Sequence, residues 1–182
     1  MKLVLIDGGP ASGKNTLGVL LVQALEKQDS KAILFDLDTY VEKINPTWTW
    51  EEERIKNMDL ENARVNFAKD IDKYLQLDFE VITIGERFLT KADVANFISR
   101  LKSSSPTYLY HLSVPFSLRT QRLRERGPHS LIDLDKDQRD RDSNIKWYGY
   151  IYENMNSPEK DAVNIMKLIQ NNKGLLDNRL YG

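Results

Sequence analysis

Cysteine is absent from this 182-residue chain, which excludes a disulfide framework, a thiolate metal site and a cysteine nucleophile, and fits a reducing compartment. Long apolar runs are missing as well: no stretch of about 18 hydrophobic residues exists to span a bilayer, and Met1-Lys2 leads into a short apolar segment without a signal-peptide pattern. Nor is there an excess of charge, since 26 basic and 27 acidic residues give a formal net charge of -1. That balance offers no attraction for nucleic acid or for an anionic membrane, so a soluble cytoplasmic protein with a small-molecule partner is expected. Histidine is scarce, with two in the chain. His129 is expected nearest to any site, and without a second ligand at metal spacing it reads as a loop residue. No internal repeat or low-complexity linker divides the chain, so residues 1–182 are expected to form a single domain, and no feature sets an oligomeric state.

What is present is concentrated first in Gly8-Gly9-Pro10-Ala11-Ser12-Gly13-Lys14-Asn15-Thr16. The preceding Leu3-Val4-Leu5-Ile6 is all apolar and branched, as in a strand buried on both faces, and Thr16 to Leu25 has a helical pattern. A strand, a glycine-rich turn and a helix start gather backbone N–H groups and the positive end of a helix dipole around one point. Such a point suits a polyphosphate, and Lys14 adds a mobile ammonium for the β and γ phosphates. The usual hydroxyl directly after the lysine is replaced by Asn15, and Thr16 supplies the first hydroxyl one residue later. This stretch resembles the loop of the adenylate kinase branch of P-loop kinases, Gly-Gly-Pro-Gly-Ser-Gly-Lys-Gly-Thr, with seven of nine positions in agreement. The resemblance implies ATP as donor and Mg²⁺ held largely through water and phosphate oxygens, with Asn15 and Thr16 as candidate contributors.

Periodicity and breakers predict strands near 2–7, 32–36, 79–84, 107–113 and 148–153, and helices near 14–27, 50–77, 91–102, 116–126 and 158–171. Their alternation argues for an α/β three-layer sandwich with a mainly parallel five-stranded sheet, and the resemblance makes it a P-loop NTPase fold of the nucleoside monophosphate kinase type. Ligands of such sheets lie at the carboxyl ends of the strands. Leu60, Ala63, Phe67, Ile71 and Leu75 recur at helical spacing, and the region of about 38–77 is by resemblance an acceptor-side flap, with Trp48 and Trp50 candidates for its packing. The tail after Gln170 is expected to be loosely held.

Phosphoryl transfer needs cations for the equatorial oxygens and a group that orients the acceptor. Asp36 and Asp38 stand where the second strand ends, and they share side-chain parity if the strand continues that far. One could serve magnesium through water while the other accepts a hydroxyl proton; a strand-end turn and a helix cap is the plainer alternative. The pair resembles the Asp-x-Asp of shikimate, gluconate and related small-molecule kinases. No arginine lies between Lys14 and Arg54, where adenylate kinases hold an acceptor monophosphate, and this favours a hydroxyl acceptor. After the third strand, Glu86 resembles the acid that positions magnesium in many P-loop proteins and Arg87 the acceptor-site arginine of several small kinases.

Arg119, Arg122 and Arg126 recur at spacings of three and four, on one face of a predicted helix. Adenylate kinases carry a similar Val-Pro segment, which by resemblance gives Arg122 to the base or phosphates and Arg126 to the lid entrance; Arg119 and Arg124 are expected on a solvated face. Residues of about 127–142 form the expected lid, with Arg139 or Arg141 as its arginine. In the last loop Ser157 and Pro158 are set to cap and open a helix, and Asn156 and Pro158 are carried over as adenine-edge candidates. The expected function is ATP-dependent transfer of the γ-phosphoryl group to a hydroxyl of a small molecule, with Mg²⁺. Nucleoside monophosphate kinase activity, or a non-catalytic ATP-binding or NTPase regulatory module, stands as the alternative. A guanine switch is disfavoured, because Asn172-Lys173-Gly174-Leu175 lacks the Asp of the Asn-Lys-x-Asp box.

Overall fold

The structure, a computed structural model, describes residues 1–47, 53–126, 134–143 and 147–177, with backbone alone over 53–57. Trp48, Trp50, His129 and the first part of the expected lid, 127–133, lie outside the described residues. The order of elements is β1 (Leu3–Gly8), α1 (Lys14–Glu26), β2 (Ala32–Asp36), α2 (Leu37–Ile44), α3 (Glu53–Gln76), β3 (Glu80–Ile84), α4 (Lys91–Ile98), β4 (Thr107–Ser113), α5 (Phe116–Glu125), α6 (Leu134–Asp142), β5 (Tyr150–Glu153) and α7 (Pro158–Gln170). The strands form one sheet in the order β2-β3-β1-β4-β5, and all four pairings are parallel.

Strand β1 occupies the middle of the sheet, which is why its six residues are all buried. Its side chains alternate between two cores: Leu3 and Leu5 join one side with Phe67, Ile71 and Leu75 of α3 and Val94 of α4, whereas Val4 and Ile6 join the other with Leu17 and Leu21 of α1 and Ile165 of α7. Helices therefore cover both faces, and the turns at the carboxyl ends of the strands are left to build a cleft. The α3 residues expected to point inward, Leu60, Ala63, Phe67, Ile71 and Leu75, are buried. Ser157 caps α7 as expected, its hydroxyl accepting from the Lys160 N–H at 3.4 Å, with Pro158 in the first turn.

Strand β2 spans Ala32–Asp36, as expected, and so does not carry Asp38; the Asp36 carboxylate accepts the Asp38 N–H at 3.1 Å and caps α2, which is the plainer of the two readings of this pair. Leu37 and Val41, four apart, then bury one face of that helix. Contrary to expectation, residues 171–177 are held in place, because the Gly174 carbonyl accepts from Leu109 N–H at 2.9 Å and Leu176 N–H donates to Thr107 O at 2.8 Å. Leu176 is buried there, beside the first residues of β4 that the shorter β5 leaves uncovered. Strand β5 itself begins at Tyr150, two residues later than expected.

Candidate functional site

The turn between β1 and α1 is built by backbone geometry. Gly13 caps α1 in the left-handed region at φ 92°, which glycine adopts without a Cβ penalty, and Ser12 N–H donates to Gly9 O at 3.1 Å. Ala11 also has positive φ, 59°, at a position where the adenylate kinase pattern has glycine. Lys14 starts the helix and turns its ammonium back over the loop, donating to Gly8 O at 2.6 Å and Gly9 O at 3.2 Å. Burial pushes that ammonium's pKa down, Asp7 pulls it up, and Arg141 pushes it down again. Two side chains from distant elements hold the loop from outside: Arg122 Nη1 donates to Ala11 O at 3.2 Å, and Asn154 Nδ2 donates to Ser12 O at 2.8 Å.

On one flank lie the two acids after β2. Asp36 accepts Asn15 Nδ2 at 3.2 Å as well as capping α2, so it ties the start of α2 to the start of α1. Asp38 lies in the first turn of α2, and its carboxyl feels Lys14 from across the loop. Desolvation of that carboxyl pushes its pKa up to about 6, with Asp36, Glu42 and Glu86 adding to the rise and Lys14 opposing it. Gly85 makes this approach possible: at φ 90°, a Cβ there would stand 2.8 Å from Asp36 Oδ1 and 2.9 Å from Leu37 N. Gly85→Ala is accordingly expected to cost about 1–3 kcal/mol through strain and overpacking, read from denaturant unfolding. An unchanged midpoint would show that the β3 turn has room to give.

Glu86 does not stand open towards a metal. Its Oε2 accepts Arg64 Nε at 2.8 Å and its Oε1 accepts Arg64 Nη2 at 2.6 Å, a bidentate pair between α3 and the end of β3. Arg64 is further paired with Glu61 at 2.7 Å, and sequence reasoning missed it entirely. Among the described residues no group of three or more His, Asp or Glu is arranged to hold a metal ion. Asp36, Asp38 and the exposed Thr16 hydroxyl are hard oxygen donors near the loop, a set that fits magnesium reached through water.

The opposite flank carries the largest departures from expectation. Arg119, expected on a solvated face, is 3 % exposed and donates from Nη1 to Asp137 Oδ2 at 2.8 Å; its Nη2 also meets Gln138. Arg141 turns inward from α6 onto Asp137 and onto Asp7, whose carboxylate it meets at 3.1 and 3.2 Å. Arg139 is exposed, as is Arg126 at the end of α5. Arg87 meets Asp137 and Asp140, each at 3.2 Å. Among the described residues His111 is the histidine beside the loop: its Nδ1 is 2.9 Å from Asp7 Oδ2 and its Nε2 is 2.8 Å from Tyr148 O. In the last loop the Asn156 amide and backbone N–H serve Asp161, so Asn154 is the residue that reaches the phosphate-type loop. Its place at the carboxyl end of β5 was the available signal.

No protein-family model matches the chain, and comparison with curated proteins gives no match either. Solved structures do resemble it. An APS kinase from Mycobacterium tuberculosis, in complex with AMPPNP and APS, superposes with a TM-score of 0.66 at 13 % identity over 93 % of this chain and 97 % of that one. A sugar kinase from Janibacter sp. gives 0.64 at 13 % identity over 100 % and 99 %, and the shikimate kinase of Aquifex aeolicus 0.60 at 20 % over 94 % and 98 %.

The fold is that of the P-loop small-molecule kinases.

Within that P-loop kinase fold, the Gly8–Thr16 turn lies at the end of β1, and the carboxyl ends of β2, β3 and β4 face it with the acids and arginines just described. No helix among the described residues is long and apolar enough to cross a membrane.

Proposed function

We propose that the chain is an ATP-dependent phosphotransferase that moves the γ-phosphoryl group to a hydroxyl of a small molecule, acting as one domain with its acceptor side on 38–77 and a lid over 127–142. The observation that carries this reading is the position of Asp38, beside Asp36 and across the loop from Lys14, at the start of a helix that Asp36 fastens to the loop through Asn15. Support for a hydroxyl over a phosphate as acceptor comes from Arg64 of α3, whose charge is already answered by Glu86 and Glu61.

In the proposed step the acceptor oxygen forms a bond to the γ-phosphorus, the bond from that phosphorus to the β–γ bridging oxygen breaks to leave ADP, and the hydroxyl proton passes to Asp38. Backbone N–H groups at the start of α1 and in the turn before it cradle the phosphates, and Lys14, Arg122 and Arg126 answer their charge. Magnesium, when bound, would neutralise charge developing on the phosphoryl group; Asp36, Asn15 and Thr16 would hold it through water. Asn156 and Pro158 remain candidates for the adenine edge through backbone atoms, and Arg87 for the acceptor.

Purified protein given ATP, Mg²⁺ and a panel of sugars, sugar acids, shikimate, nucleosides and nucleoside monophosphates tests the reading. ADP formed with a hydroxyl compound is the expected result, and ADP formed only with a monophosphate would overturn the acceptor assignment. A pH profile adds a second test. Because Asp38 must be ionised to accept the proton and its pKa is raised, kcat/KM should climb with pH through an acid limb near 6, above an ordinary Asp. The limb should vanish in Asp38→Asn together with most of the turnover, about 10²–10⁴-fold.

A further inference from the structure

Three guanidinium groups, from the β3–α4 turn, α5 and α6, meet on a single carboxylate beside the phosphate-type loop. Asp137 Oδ1 accepts from Arg87 Nη2 at 3.2 Å and Arg141 Nε at 3.1 Å, and its Oδ2 accepts from Arg119 Nη1 at 2.8 Å. Asp137 and Arg119 are both buried. The cluster presses against the loop itself: a Cβ added to Gly9 would stand 2.0 Å from Arg119 Nη1 and 2.4 Å from Asp137 Oδ2. Lys14, bonded to the Gly8 and Gly9 carbonyls, is electrostatically coupled to the same carboxylate.

Donors exceed acceptors here. Arg87 Nε is buried without a hydrogen-bond partner among the described residues, a costly state for a cationic donor. Asp140 answers part of Arg87 and Asp7 part of Arg141, but among the described residues the buried Arg119 has Asp137 alone as its counter-charge. A carboxylate has two oxygens to offer such a cage, whereas a phosphoryl group offers three and a larger charge, and could engage Arg87 Nε as well.

We propose that the Arg87–Arg119–Arg141 cage is a binding site for a phosphate-type oxyanion, and that Asp137 is its resident stand-in, displaced when that anion arrives. The identity of the anion rests on the phosphotransfer reading: it is the γ-phosphoryl of the nucleotide or an anionic group brought by the acceptor. Asp137 then does two things. It keeps three arginines oriented around a negative centre, which lowers the reorganisation needed at binding, and it competes with any ligand that lacks the third anionic group. ADP gains little from the cage under this arrangement; a triphosphate gains most.

Calorimetry on the full chain and on Asp137→Asn, with Mg·AMPPNP, Mg·ADP, and inorganic phosphate in the presence of ADP, tests the proposal. Removing the resident charge should tighten Mg·AMPPNP at least about tenfold while changing Mg·ADP by less than about threefold, if the γ-phosphoryl is the source. A gain confined to phosphate with ADP supports the cage and assigns the anion to the acceptor. Equal or weaker binding of all three probes by the variant overturns it. Should the variant fail to fold, the unmodified chain decides. Deuterium uptake over α6 must rise with AMPPNP, or with ADP plus phosphate, relative to ADP alone, and unchanged or reduced uptake with every probe overturns the proposal. A chain that binds no nucleotide defeats the kinase reading but not the cage, which phosphate alone then tests: tighter phosphate binding by Asp137→Asn supports it, and no change sinks it.

Discussion

Substituting Lys14 by Ala is expected to lower kcat/KM by at least about 10²–10³-fold, roughly 3–4 kcal/mol of lost transition-state stabilisation, while leaving the protein as stable as before or more so. Both halves follow from where the ammonium sits. It is the one cation that grows directly out of the turn, held over Gly8 O and Gly9 O at 2.6 and 3.2 Å, so its loss removes the charge that the turn itself supplies to a transferring phosphoryl group. Those two carbonyls are its only hydrogen-bond acceptors among the described residues, and burial already disfavours its charge, so removal relieves a desolvation cost. Turnover assays alongside denaturant unfolding separate the two effects. A variant that keeps full turnover would count against the phosphotransfer reading, and one that loses turnover only by unfolding would place Lys14 in the framework of the loop.

Much of this arrangement was legible in the chain because its signals are local. An apolar run, a glycine-rich turn and a helical pattern lie within about 25 residues, and each has a geometric meaning that distant residues do not alter. The α3 spacing and the Ser157-Pro158 cap are of the same kind. Helix α2 was hidden for a local reason: its cap, Asp36, is also the last residue of β2, and Leu37 and Val41 suit a strand as well as a helix.

The contacts that sequence reasoning missed join residues far apart in the chain. Arg119 pairs with Asp137 across 18 positions, Glu86 with Arg64 across 22, His111 with Asp7 across 104 and Arg141 with Asp7 across 134. Alternating charges such as Asp137 to Asp142 have the same appearance on a solvated helix and on one whose inner face is an ion-pair network. The even balance of charge over the whole chain hides a clustering of both signs at the carboxyl edge of the sheet, where Arg119 and Arg141 pair with Asp137 and Asp7 and where ligands bind in such folds. Composition reports the sum, and the fold decides the distribution.

Asp7→Asn should be the most damaging isosteric change away from the loop, costing about 3–5 kcal/mol at neutral pH and lowering the melting temperature by on the order of 10 °C. Asp7 is 1 % exposed and sits at the end of the central strand with Arg141 on one side and His111 on the other, its own Oδ1 also accepting the Gly8 N–H at 2.7 Å. Burial alone would raise its pKa; the hydrogen bond from His111 and the charge and hydrogen bonds of Arg141 overcome that and hold it well below the usual carboxylate range. An amide at this place offers one acceptor instead of two and turns an N–H₂ towards a guanidinium or the imidazole, leaving a buried cation short of its counter-charge. The sign with pH follows from the depressed pKa. The stabilisation from Asp7 is fully present above the carboxylate's unfolded value near 4 and is lost as pH falls below it towards the folded value, so the gap between the two proteins should be widest at neutral pH and narrow in acid. Thermal unfolding of both proteins from pH 7 down to pH 3 measures it. A gap independent of pH would mean that shape, and not charge, holds Arg141 and the α6 helix against the end of β1.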